Sequence, residues 1–163
     1  MRFVAFSMGC LLAATPLAGP AATVTLQAGA SESGNDNREA VPVFFAKILR
    51  EDPLRLGHRF EARPFAVAGF VDGRDDPGER DSVWLAGAGF RATVAQRPEK
   101  HWFVESQVML NHPNTSSLSG SVQFGHGIGY SFGRVEVMLK HISNARLTGP
   151  NDGETMLMLG YGF

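Results

Sequence analysis

Residues 121–143 read SVQFGHGIGYSFGRVEVMLKHIS, and the parity of their side chains decides the fold. On a strand, alternate side chains share a face. One face collects Val122, Phe124, His126, Ile128, Tyr130 and Phe132; the other collects Gln123, Gly125, Gly127, Gly129 and Ser131. Past Gly133-Arg134 the alternation resumes, with Val135, Val137, Leu139, His141 and Ser143 set against Glu136, Met138 and Lys140. Two alternating runs joined through a glycine-containing dipeptide predict a hairpin with a tight turn. Glycines and charges suit a narrow interior, so the large apolar set is expected to face lipid. If Phe132 pairs with Val135, counting back sets His126 opposite His141 and Phe124 opposite Ser143.

The pattern continues outward from this hairpin. Strands are expected near Val24–Ala30, Val41–Arg50, Arg59–Val71, Val83–Ala95, Trp102–Leu110, Ser121–Phe132, Arg134–Ser143 and Thr155–Tyr161. The connectors 31–38, 72–82, 111–119 and 144–154 are long and polar, whereas 51–57, 96–100 and 133–134 are short. Long loops at one end and short turns at the other predict an all-β fold, an eight-stranded antiparallel transmembrane β-barrel of the outer-membrane type. The final strand alternates Leu157, Leu159, Tyr161 and Phe163, an aromatic end that resembles the C-terminal signature of outer-membrane proteins. Past the N-terminus no apolar run reaches the roughly 18 residues a membrane helix needs.

The N-terminus reads as a secretory signal: Arg2, an apolar stretch from Phe3 to Ala14, then small residues at Gly19-Pro20-Ala21. The expected organisation is a signal peptide at 1–21 and one barrel at 22–163. Cys10 falls inside the signal, so the barrel would hold no disulfide and would draw its stability from closed backbone pairing. A net charge of −1 carries no signature of nucleic-acid binding. Gly125-His126-Gly127-Ile128-Gly129 lies within a strand and opens no helix, which excludes a phosphate loop. The five histidines lack metal-ligand spacing, the 72–81 run reads as a solvated loop, and no cofactor is expected.

Chemistry concentrates in His141-Ile142-Ser143-Asn144-Ala145, followed by Pro150-Asn151-Asp152-Gly153. Strand geometry puts His141 and Ser143 on one face. A serine hydroxyl becomes a nucleophile when a base lies beside it, and histidine is suited to that near neutral pH. Asn144 follows at once and is the expected donor to a developing oxyanion. A His-x-Ser pair alone is common, and an interfacial polar pair at a barrel rim is the plain alternative. Yet this pair faces lipid at the loop end of a strand, where polar groups need a partner or a purpose.

These residues, with Gly127-Ile128-Gly129-Tyr130 and the aromatic end, resemble the lipid A 3-O-deacylase (PagL) family over roughly Phe124 to Phe163. The resemblance implies an eight-stranded outer-membrane barrel with a Ser-His-Glu triad on its outer wall, which removes the acyl chain at position 3 of the lipid A glucosamine. Matched by motif, His141 is the base, Ser143 the nucleophile and Asn144 the oxyanion-hole residue. The family glutamate lies two positions beyond the motif glycine, where this chain has Thr155; Glu154 comes one residue early. A one-residue bulge would turn Glu154 outward, and Glu154 is the expected acid; the alternatives are a weak dyad without its orienting carboxylate or a retired enzyme. The implied partners are lipid A or lipopolysaccharide as substrate and the outer membrane, with no oligomer required. Rival readings are a non-catalytic structural or adhesive barrel, for which Thr155 speaks, an esterase or acyltransferase acting on phospholipids, and a soluble lipid-binding barrel. His126 is expected to border the site and to bind a phosphate or sugar oxygen, or else to be a rim histidine.

Overall fold

The computed structural model describes residues 21–34, 39–95, 99–147, 149 and 151–163. Apart from Ala21, the expected signal at 1–21 lies outside them. The strands are β1 (Ala22–Ser33), β2 (Val41–Arg50), β3 (Leu54–Leu56), β4 (Phe60–Val71), β5 (Val83–Val94), β6 (Lys100–His112), β7 (Val122–Phe132), β8 (Val135–Ser143) and β9 (Glu154–Gly162). Every pairing is antiparallel between neighbours, β1 also pairs with β9, and β2 pairs with β4, so eight strands close into a barrel. Among the described residues, closure pairs each of the eight wall strands on both sides. The ninth, β3, is a surprise inside the expected 51–57 turn: Leu54–Leu56 fold back on Phe60–Ala62 to extend the β4 edge. A three-residue alternation is too short to read as a strand.

The wall is apolar outside and mixed within, the inverse of a soluble protein. Phe44, Ile48, Trp84, Phe90, Trp102, Val108, Leu139 and Leu157 are exposed, while Gln27, Lys47, Arg91, Glu105, Glu136 and Lys140 are buried. That distribution is stable only where hydrocarbon covers the wall. Aromatic contacts mark both rims. Tyr130 meets Trp102 at 5.1 Å and Phe132 at 4.7 Å near the short turns, and Phe70 meets Trp84 at 5.0 Å near the long loops. Such rings favour the membrane interface.

Inside, Lys47, Arg91, Glu105 and Glu136 form ion pairs. Lys47 Nζ lies 2.6 Å from Glu105 Oε1, and Arg91 Nη2 lies 2.6 Å from Glu105 and 2.7 Å from Glu136. Gln27 donates to Glu136 at 2.6 Å. The interior holds more than the expected glycines and charges: Phe45, Phe103, Met109, Met138, Met156 and Met158 are also buried there. Flexible thioethers fill the irregular gaps that fixed ion pairs leave. The glycines make this packing possible, since a Cβ at Gly129 would stand 2.3 Å from the Phe103 ring.

The hairpin register is as counted from the turn. Gly133 takes a left-handed φ of 89°, and His126 pairs with His141 and Phe124 with Ser143. The β8 and β9 strands therefore carry their polar residues up to the base of the long 144–153 loop.

Candidate active site

Four outward side chains lie in one row across β6 to β9. Ser106 pairs with His126, His126 with His141, and His141 with Thr155. All four are exposed on the lipid-facing wall. Two hydrogen bonds divide the row: His141 Nδ1 to Thr155 Oγ1 at 3.0 Å, and Ser106 Oγ to His126 Nδ1 at 3.2 Å. Ser143, half-buried, stands one outward position nearer the loops than His141 on β8.

The loop beyond Ser143 turns sharply. Ala145 and Arg146 adopt left-handed φ values of 54° and 61°, a conformation non-glycine residues hold only when their surroundings enforce it. Asn144 enforces it. Its carbonyl accepts from Leu147 N at 3.1 Å, its side-chain oxygen accepts from Arg146 N at 2.7 Å, and its amide donates to Ser119 O at 2.8 Å. Asn151 Oδ1 accepts from Asn144 N at 3.2 Å, which ties the far end of the loop to the near one. The result is a small pocket of about 280 Å³ lined by His141, Ser143, Ala145, Arg146, Asn151 and Asp152.

Gly153 explains the glycine of the Pro-Asn-Asp-Gly motif. Its φ is 73°, and a Cβ there would stand 2.6 Å from His141 Cε1 and 2.9 Å from Nε2. The backbone thus closes over the imidazole. With Nδ1 engaged by Thr155, the Nε2 edge of the ring lies under the loop that forms the pocket.

Two of the expected site residues stand elsewhere. Glu154 does not turn outward. β8 and β9 pair without a bulge, Ile142 with Glu154 and His141 with Thr155, so Glu154 points into the barrel and is 1% exposed. There it accepts from Arg74 Nη1 at 2.6 Å and Nη2 at 2.8 Å, and Ser31 also donates to it. Arg74 is buried with it. Burial opposes the guanidinium charge, but the bonds to Glu154 and the fields of Glu154 and Glu79 outweigh this and raise its pKa. A carboxylate neutralised in this way does not reorient at small cost. The Asn144 side chain likewise faces inward, fully buried, with its amide committed to Ser119. It shapes the loop from beneath and does not border the lipid side. Thr155 is the residue that meets His141.

Ser106 escaped sequence reading, as did Arg74 in its part as the partner of Glu154. For Ser106 a signal exists: it alone interrupts the outward series Trp102, Val104, Val108 and Leu110 of β6. Below the polar row, towards the short turns, the wall forms a groove of about 880 Å³ whose lining includes Phe90, Val104, Ile128 and Leu139. The groove begins at Ser106, His126, His141 and Thr155, which also border it.

A model of the lipid A 3-O-deacylase (PagL) family matches residues 77–163, more than half of the chain. Among solved structures, the crystal structure of the outer membrane enzyme PagL aligns at a TM-score of 0.60 and 19% identity, over 86% of this chain and 98% of that one. The backbone structure of the Yersinia pestis outer membrane protein Ail in a phospholipid bilayer nanodisc aligns at a TM-score of 0.49 and 12% identity, over 88% of this chain and 100% of that one. A search of curated proteins gave no match. At 19% identity the likeness to the PagL structure speaks for the barrel fold.

Proposed function

The chain belongs to the lipid A 3-O-deacylase (PagL) family, and from that membership we propose that it is a serine esterase of the outer membrane, with Ser143 as nucleophile and His141 as its base. Its substrate is the ester-linked acyl chain at position 3 of the lipid A glucosamine. The observation that carries this reading is a single placement: His141 and Ser143 line one pocket at the loop end of the apolar wall, directly above a lipid-facing groove. A lipid standing in the outer leaflet can present its ester there and lay its chain along the wall without leaving the membrane.

In this mechanism, His141 is neutral and donates its Nδ1 proton to Thr155 Oγ1, which leaves Nε2 free as the base. Nε2 takes the Ser143 proton as Oγ attacks the ester carbonyl. The oxyanion develops at the pocket wall to which Ala145, Arg146 and Asn151 contribute, which Asn144 keeps in shape from the lumen side. His141 then returns the proton to the departing glucosamine oxygen. Water, deprotonated by the same nitrogen, attacks the acyl-enzyme; the bond to Ser143 Oγ breaks, Nε2 returns the proton to that oxygen, and the fatty acid leaves.

The test is mass spectrometry of lipid A from Gram-negative cells expressing the chain or its Ser143→Ala variant. Loss of one 3-linked hydroxyacyl group with the unmodified chain alone supports the reading. Profiles equal to the empty-vector control, with folded barrel present in the outer membrane, would overturn it in favour of a non-catalytic barrel. Release of fatty acid from defined phospholipids, with lipid A untouched, would instead point to a phospholipid esterase.

Glu154 has a separate expectation. Glu154→Gln leaves Arg74 without its principal counter-charge, and breaking a buried pair of this kind costs about 3 kcal/mol. The barrel should lose its compact gel migration at a lower temperature, while the folded variant hydrolyses at a rate within about threefold of the parent. A hundredfold fall in rate would put the carboxylate in the chemistry after all.

A further inference from the structure

Ser106 and His126 have no part in the mechanism above, yet they form a hydrogen-bonded pair in a lipid-facing wall. Their outward neighbours along the strands are Val104, Val108, Phe124 and Ile128. Polar side chains at such positions are unfavourable unless they have a function or a polar partner from the membrane side. Mutual hydrogen bonding lessens the penalty without explaining why two apolar residues do not stand there. The pair lies beside His141 in the row and borders the groove on the same side as the catalytic pocket.

Depth decides what such a pair would meet. The row lies one outward position closer to the short turns than Ser143, about 7 Å along the strand direction. A lipid whose headgroup sits at the long loops therefore passes this row with its acyl chain, and its sugar and phosphates lie above it. Depth therefore favours an oxygen of the acyl chain over a phosphate or sugar oxygen as the partner of His126. A hydroxyl on the third carbon of the scissile chain lies roughly 4 Å from the ester carbon by ordinary bond lengths. A hydrogen bond of about 2.8 Å covers the rest of the drop along the strand, and the imidazole of His126 is long enough to reach across the one strand spacing of about 4.8 Å to β8. A hydroxyl both donates and accepts, so it suits His126 in either tautomer and Ser106 Oγ beside it.

Resting on the deacylase reading, we propose that Ser106 and His126 are specificity-determining binding residues that recognise the 3-hydroxyl of the acyl chain to be removed. The pair holds its own hydrogen bond when that hydroxyl is absent, so discrimination is modest, about tenfold in kcat/KM, the scale of one net hydrogen bond. It also fixes how far the chain descends into the groove before the ester reaches Ser143.

The experiment compares two synthetic glucosamine lipids, one with a 3-O-linked 3-hydroxytetradecanoyl chain and one with the tetradecanoyl chain, using the detergent-solubilised full barrel. The unmodified enzyme should prefer the hydroxylated substrate about tenfold in kcat/KM. In His126→Phe and in Ser106→Ala the fall should be confined mainly to that substrate, bringing the ratio close to one. Ser106→Ala removes a single oxygen, so the comparison stands even if the phenylalanine variant folds poorly. An unchanged ratio in both variants, or equal falls on both substrates, overturns the assignment and leaves the pair a structural one. An active enzyme indifferent to the hydroxyl from the start also overturns it, with the deacylase reading intact. Inactivity of the unmodified enzyme on both lipids would sink that reading, and this assignment with it.

Discussion

Replacing Ser143 with alanine is expected to lower kcat/KM for lipid A hydrolysis by roughly 10³- to 10⁶-fold, His141→Ala by a comparable factor, and the double variant by little more than either. The reason is that, in the proposed mechanism, the two residues act as one unit. Without Ser143 the imidazole has no hydroxyl to deprotonate, and without His141 the hydroxyl is not activated. Activity that survives both changes belongs to substrate binding and to the pocket wall. Ser143→Ala removes one oxygen from a half-buried side chain, so the barrel should fold and migrate like the parent. Single-turnover release of fatty acid by the purified variants checks the claim. Multiplicative losses in the double variant would mean that the two residues contribute independently, and the dyad would have to be abandoned.

The same residues show what parity and counting can and cannot reveal. The β7–β8 hairpin was legible because its apolar set alternates without a break and its turn is two residues long, so the register to His141 and Ser143 followed by counting. The row's other members were harder. Ser106 reaches His126 across β6 and β7, which are joined by a long loop, and no count through 113–121 fixes that register. Asn144 was assigned to the oxyanion by its place in the motif. Parity points the other way, since the residue after an outward Ser143 faces the lumen, and the structure follows parity. Glu154 was expected to rotate outward on a bulge. What holds it inward is Arg74, 80 residues away in sequence, and a contact of that range leaves no local trace. The short β3 was hidden because Leu54-Arg55-Leu56 gives too little alternation to register.

Thr155→Glu is expected to raise the rate of acyl-chain removal, by roughly 10- to 10³-fold, if the carboxylate settles on His141 Nδ1. Thr155 already meets His141 by register and by contact, at 3.0 Å from that nitrogen, where the proposed mechanism needs a third group. Its hydroxyl can hold the imidazole in the tautomer that leaves Nε2 free. It carries no charge, however, and so stabilises the imidazolium formed in the transition state much less than a carboxylate would. The longer side chain must fold back along the wall, and it does so near the loop end, where depth makes a charge least unfavourable. Glu154 need not move, because it faces the lumen and is held by Arg74. Thr155→Gln is the control: similar in reach and uncharged, it should gain little, while Thr155→Val, which loses the hydrogen bond, should fall about tenfold below the parent. Steady-state kinetics on one lipid A substrate ranks the four proteins. The order glutamate, threonine, valine, with glutamine near threonine, would assign the missing rate to the missing charge. A glutamate variant no faster than the parent, in a barrel that folds normally, would mean that the wall already stabilises the imidazolium by other means, and that Thr155 is a sufficient partner for the base as it stands.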